Sequence, residues 1–141
     1  MNQMSNWNAE DDKLAVLAKG ARSRVQAKVG AALRDETGRT YASAEVSVGS
    51  LNVSAVGMVV AQAVASGSTG VESVVISQPV EFAISDSDLD LVRAFSGAGI
   101  TIYVIDEAGP WQTMSTIRLE TKPEVIHAEM NAIGKLAQSN E

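Results

Sequence analysis

The sequence predicts a three-layer α/β/α sandwich built on a mixed five-stranded sheet, and three observations carry that prediction. First, a helical pattern is followed by two strand patterns joined by a tight Asp35-Glu36-Thr37-Gly38 turn, which reads as a β-hairpin. Second, strand and helix patterns then alternate, and same-sense strands joined through a helix require crossovers. Third, Asp106–Pro110 is too short to cross over, so the strand after it must return antiparallel to its predecessor.

The elements follow in order. From Ala9 to about Val25, Leu14, Leu17, Ala18, Ala21 and Val25 recur on one helical face, and Asp11 with Asp12 stands near the start, where the helix dipole favours negative charge. Lys28 to Arg34 forms the first strand. Arg39 to Val48 alternates strictly, with Thr40, Ala42, Ala44, Val46 and Val48 on one face and Tyr41, Ser43, Glu45 and Ser47 on the other, the signature of a strand covered on one side. After a Gly49-Ser50 break, Asn52 to Ser66 places Val56, Val59, Val60, Ala63 and Val64 at helical spacing, and Gly67 and Gly70 end it. Val71 to Ser77 reads as a buried strand, and Asp86 to Ser96 as a helix with Leu89, Val92 and Phe95 inward. Ile100 to Ile105 is the next strand, Trp111 to Leu119 its hairpin partner, and a final helix is expected beyond Thr121. Residues 1–119 therefore read as one domain, with 120–141 as a helical extension.

Composition restricts the chemistry. The chain has 141 residues, 45% hydrophobic and 20% charged, which suits a single globular domain. It has no cysteine and one histidine, His127, which excludes thiol nucleophiles, iron–sulfur clusters, cysteine-based zinc sites and any site needing two imidazoles from one chain. A net charge of −6 argues against nucleic acid as a partner, because sequence-independent affinity for it comes mainly from lysine and arginine. No apolar run approaches the roughly 18–20 residues of a membrane span, and MNQMSNWNAE lacks the features of a signal peptide, so a cytoplasmic protein without a membrane partner is expected. There is no G-x-G-x-x-G and no P-loop, and no G-x-S-x-G elbow accompanies His127.

Two stretches resemble the cytidine deaminases. Val29 to Val46, VGAALRDETGRTYASAEV, is similar to their first hairpin, and Ser54 to Gly67, SAVGMVVAQAVASG, to their second helix, which opens Cys-Ala-Glu-Arg in active members. The resemblance runs from about Ala9 to Ser115 and is greatest to short, cysteine-poor actinobacterial proteins of that family. It implies a zinc ion held by three protein ligands, whose hydroxide attacks C4 of cytosine while a glutamate outside the coordination shell moves protons.

Carried over position by position, the resemblance places the first ligand on Ser54, the general acid/base on Val56 and the following arginine on Gly57. Matching Phe95 to the aromatic of the third helix places the Cys-x-x-Cys pair on Ser85 and Asp88. Neutral hydroxyls are poor zinc ligands, one carboxylate cannot hold the ion alone, and valine transfers no proton. Ser85 to Asp88 reads more simply as an N-cap with an aspartate version of the capping box. No cofactor is expected at these positions.

The family's ribose-binding Asn-x-Glu falls on Glu45-Val46-Ser47 if the register is kept from Gly38, which preserves the alternation and is preferred. Counted back from Ser54, Glu45 takes the glutamate and Ser43 the asparagine. Glu45 and Ser47 are the substrate-binding candidates, against the plainer reading of exposed strand residues.

The tail carries a conflicting signal. His127-Ala128-Glu129-Met130-Asn131-Ala132-Ile133 resembles the zinc helix of deoxycytidylate-type deaminases, which makes His127 a metal candidate and Glu129 a catalytic one. No cysteine pair follows. Thr121 to Glu124 reads as a capping box that puts His127 well inside a helix, and Ile126, Met130, Ile133 and Ala137 form an apolar stripe suited to packing or self-association. Three functions are consequently expected: a non-catalytic protein binding a partner or a nucleoside-like ligand; a zinc-dependent deaminase using His127 and Glu129, across a subunit interface; and a structural oligomer. By analogy with the family, a homo-oligomer, dimer or tetramer, is expected in each case.

Overall fold

A computed structural model describes residues 7–79, 81–96, 99–106 and 113–119. The element order is α1 (Ala9–Arg24), β1 (Gly30–Asp35), β2 (Thr40–Ala44), β3 (Val46–Val48), β4 (Leu51–Val53), α2 (Ala55–Ala65), β5 (Val71–Ser77), α3 (Asp86–Ser96), β6 (Ile100–Asp106) and β7 (Thr113–Leu119). The principal sheet has five strands in the order β2-β1-β5-β6-β7. Strand β1 pairs antiparallel with both β2 and β5, β5 and β6 are parallel, and β7 returns antiparallel along β6 with Leu119 opposite Ile100. The expected mixed sheet is therefore present. Its first crossover, β2–α2–β5, joins strands that run the same way without being neighbours, because β1 lies between them. The expected final helix, with His127 and Glu129, lies outside the described residues.

Strict alternation along the central strands builds two cores. Ala31, Leu33, Val74, Ile76, Ile100 and Ile102 face α2 and α3, while Ala32, Val75, Tyr103 and Ile105 face α1. Burying each valine, leucine or isoleucine of these layers contributes about 1.5–3 kcal/mol, which is why a period of two outweighs individual propensities here. Trp7 closes the α1 core edge-on to Tyr103, with ring centroids 5.0 Å apart.

Several sequence expectations need correction. The buried face of α1 is Asp11, Leu14, Ala15, Ala18 and Ala21; Leu17 is 39% exposed and Val25, beyond the last turn, 64%. The small side chains, not the largest ones, mark the face, because α1 lies so close to β1 that a Cβ on Gly30 would stand 2.2 Å from the Ala18 carbonyl oxygen. Asp11 is not a solvated dipole partner. It is buried, completes a capping box with Asn8, and accepts from Arg34 at 3.3 Å and Ser73 at 3.0 Å.

The strand expected over Arg39–Val48 is broken at Glu45. Strand β2 ends at Ala44, and β3 leaves the sheet to pair with β4 as a separate two-stranded ribbon, Val46 opposite Val53 and Val48 opposite Leu51. One-sided cover also fails, since Tyr41 packs against the α2 core and Ala42 against the α1 core. Asn52 belongs to β4, so α2 begins later than its apolar spacing suggested, and Val64 is 54% exposed instead of inward. At its other end α2 closes as expected: Gly67, at φ 97°, lets the Ser68 amide reach the Ala63 carbonyl and its own amide the Val64 carbonyl, a Schellman arrangement.

The hairpin turn between β1 and β2 holds the loop after α2. Asp35 is fully buried and accepts from Ser68 Oγ at 2.5 Å, Thr37 Oγ1 at 2.7 Å, and the Thr37 and Arg39 amides at 2.9 Å each. Burial raises its pKa, but the hydrogen bonds from Ser68, Thr37 and Arg39 outweigh it and hold the carboxyl well below the usual carboxylate range. Glu36 accepts from the Thr69 hydroxyl and amide and the Gly70 amide; the Thr69 hydroxyl contributes most to lowering its pKa. This clamp fixes α2 relative to the sheet.

Candidate functional site

At the carboxyl end of β5 the structure leaves a cavity of about 220 Å³. It is formed where three connections meet. The entry to β1 and the exit from β2 contribute Val29 and Glu45; the start of α2 contributes Ser54, Ala55 and Val56; β5 and its continuation contribute Ile76 and Gln78; and the approach to α3 contributes Phe82 to Ser85, then Asp88. The first turns of α2 and α3 thus meet at one place, and each brings a capping serine.

Ser54 is the N-cap of α2, accepting from the Gly57 amide at 2.9 Å. Ser85 does the same for α3, accepting from the Asp88 amide at 3.1 Å, and its hydroxyl is also 3.1 Å from that of Ser87. The expected capping box is only half made. Instead of turning back to the Ser85 amide, Asp88 presents Oδ1 to the Ser54 hydroxyl at 2.7 Å. A neutral hydroxyl that caps one helix therefore bonds to the carboxylate of another, and the two N-termini are joined directly.

Ser54, Val56, Ser85 and Asp88, the positions that the sequence resemblance singled out, all line this cavity. They do not fit a zinc ion. Their donor set is one carboxylate and two neutral hydroxyls, the Ser54 hydroxyl is engaged with the carboxylate, and no group of three or more His, Cys, Asp or Glu side chains suited to a metal occurs among the described residues. Val56, 2% exposed, adds apolar wall where a proton carrier would be needed.

The two substrate-binding candidates separate. Glu45 lines the cavity, whereas Ser47 lies on the exposed ribbon with its hydroxyl 2.7 Å from Asn52 Oδ1. Ser43 Oγ donates to the Ala44 carbonyl, and Ser43 is not among the described cavity residues. The preferred sequence register assumed one unbroken strand; the departure of β3 from the sheet is what turns Glu45 to the cavity and carries Ser47 away.

Sequence reasoning missed Gln78 and Phe82. Gln78 is 4% exposed, and its Nε2 donates to the Phe82 carbonyl at 2.9 Å, pinning the loop that forms one wall. Periodicity could not reveal either, since both lie between elements; their position just after a buried strand of an α/β sheet was the available signal.

His127 and Glu129 lie outside the described residues, whose last member is Leu119. Leu119 pairs with Ile100 at the start of β6, while the cavity lies level with the end of β5, beside Ser77 and Ile105. Leu119 thus lies at the end of the sheet away from the cavity, roughly 17 Å along the strand direction at 3.3 Å per residue.

Comparison with known proteins agrees with this fold. A sequence model described as cytidine deaminase-like matches residues 7–109. Among solved structures, a cytidine deaminase from Burkholderia pseudomallei superposes with a TM-score of 0.63 at 18% identity, covering 74% of this chain and 91% of that one. A cytidine deaminase from Mycobacterium leprae gives 0.56 at 17% identity, covering 77% and 94%. No curated protein sequence gives a significant match.

Proposed function

The chain belongs to the cytidine deaminase-like family, and from that premise we propose that it is a non-catalytic member that binds a small nucleoside-like ligand at the junction of α2 and α3. The observation that carries this reading is the Ser54–Asp88 hydrogen bond. It joins two helix N-termini through groups that cannot hold zinc, so the scaffold is maintained without metal while a cavity remains beside it. The replacement of a proton carrier by buried Val56 supports the same conclusion from a second position.

Metal analysis of the purified protein together with ultraviolet absorbance after addition of cytidine or deoxycytidine tests the proposal. Background zinc, no absorbance change, and saturable nucleoside binding by calorimetry are expected. Stoichiometric zinc with turnover of cytidine to uridine would overturn it; His127→Ala would then tell whether the tail supplies the metal.

A further inference from the structure

Three connections meet the principal sheet side by side at one end. The segment after α1 leads into β1, the β3–β4 ribbon follows β2, and Gln78 onward follows β5, with Gly30 paired to both Ala44 and Ser77. Exposed apolar side chains collect there: Val25, Val48 and Leu51 are each more than half exposed. Val48 stands opposite Leu51 at the ribbon tip, on the same face as the Val46–Val53 pair, while Ser47 donates to Asn52 on the reverse face. Residues 46–53 carry no charge. A ribbon of three residue pairs is marginal by itself in water, so its uncovered apolar face reads as a contact surface.

Charge at this end is segregated. Residues 19–28 hold four basic side chains and no acidic one, and residues 81–90 hold four acidic side chains and no basic one. The two segments adjoin, since Lys28 Nζ lies 5.9 Å from the Phe82 ring centroid. Helix dipoles account for Arg22 and Arg24 in the last turn of α1 and for Asp86 and Asp88 in the first turn of α3. They do not account for Lys28 or Glu81, which lie outside the helices. Arg24, Lys28, Glu81 and Asp86 are all exposed and make no ion pair among the described residues.

We infer that this end of the sheet is a two-fold interface between two copies of the chain. A two-fold axis sets one surface against itself, so the basic segment of each copy meets the acidic segment of the other, twice over, and Val25, Val48 and Leu51 are covered in the same contact. A polyanion fits poorly, because four carboxylates adjoin the four basic groups and repel it. A partner must offer unlike patches side by side, and a second copy has them already. Such a dimer forms whether or not the cavity holds a ligand.

Sedimentation equilibrium of the full chain tests the interface, with unfolding midpoints of each variant as the control for folding. The wild type should associate as a dimer or a multiple of it. Arg24→Glu with Lys28→Glu, and separately Glu81→Lys with Asp86→Lys, should each weaken association by about tenfold or more. An equimolar mixture of the two variants should associate more tightly than either alone, because the mixed pair keeps one wild-type contact between unlike patches. Val48→Ser with Leu51→Ser leaves every charge in place and should weaken association as well. A monomeric wild type at about 100 μM overturns the inference, as does association that neither charge variant weakens, a mixture no tighter than its components, or an unchanged ribbon variant.

Discussion

Ser54 and Asp88 join the N-termini of α2 and α3 through one hydrogen bond of 2.7 Å, in which the serine that caps one helix donates to a carboxylate in the first turn of the other. Ser54→Ala removes both the cap on Gly57 and the donor to Asp88. A loss of about 1–2 kcal/mol is expected, read as a lowered urea midpoint at unchanged slope. An effect below a few tenths of a kcal/mol would show that the link contributes nothing to stability.

Placing thiolates at the two helix starts tests the scaffold itself. Combining Ser54→Cys, Ser85→Cys and Asp88→Cys with Val56→Glu should yield about one zinc per chain, because three thiolates at the helix starts complete a tetrahedral set with water. Val56→Glu alone should take up no zinc and should cost about 2 kcal/mol or more, since it puts a carboxyl at a position 2% exposed. Failure of the fourfold variant to bind zinc while folded would mean that the two helix starts are not placed to complete a tetrahedral site.

Acid should destabilise the protein through the β1–β2 turn. Asp35 and Glu36 both have folded-state pKa values below their ordinary values of 3.8 and 4.5. Their contribution is therefore complete above about pH 4.5 and is lost as the pH falls through the depressed folded values, because the unfolded chain takes up protons first. Urea midpoints measured from pH 6 to pH 2.5 should fall steeply below pH 4.5, and the slope should flatten in Asp35→Asn, which is less stable throughout. A wild-type midpoint independent of pH in this range would contradict the clamp.

Two glycines of α1 and β1 should respond with opposite signs. Gly30→Ala drives a Cβ to 2.2 Å from the Ala18 carbonyl and 3.0 Å from the Arg22 Cβ, so a loss of about 1–3 kcal/mol is expected. Gly20→Ala, on the exposed side of the same helix with nothing within 4 Å of the new atom, should gain about 0.5–1 kcal/mol. Thermal midpoints of the two variants, measured side by side, check both; equal effects would show that α1 does not press on β1.

Much of the fold is legible because its signals are local. The apolar runs of Val71–Ser77 and Ile100–Ile105, the cap at Ser85 and the glycine at position 67 each depend on a few neighbouring residues, and the structure follows all of them. Errors arise where a distant contact decides. Leu17 and Val64 have the right chemistry for a core but lie beside the true faces, which are chosen by how closely the helices approach the sheet. Asp35, Glu36 and Asp11 look like surface acids and are held by Ser68, Thr69 and Ser73, partners remote in the chain.

The candidate site divides along the same line. The absence of cysteine and the identities of Ser54, Val56, Ser85 and Asp88 are properties of the sequence, and with them the poor match of these four positions to zinc. That Asp88 turns from its own helix start to Ser54, that Glu45 lines the cavity while Ser47 leaves with the ribbon, and that buried Gln78 donates to the Phe82 carbonyl and pins one wall were decided only by the tertiary structure. The physical reason is that a side chain's type limits which bonds it can make, whereas which bond it makes depends on the group that packing brings within about 3 Å of it.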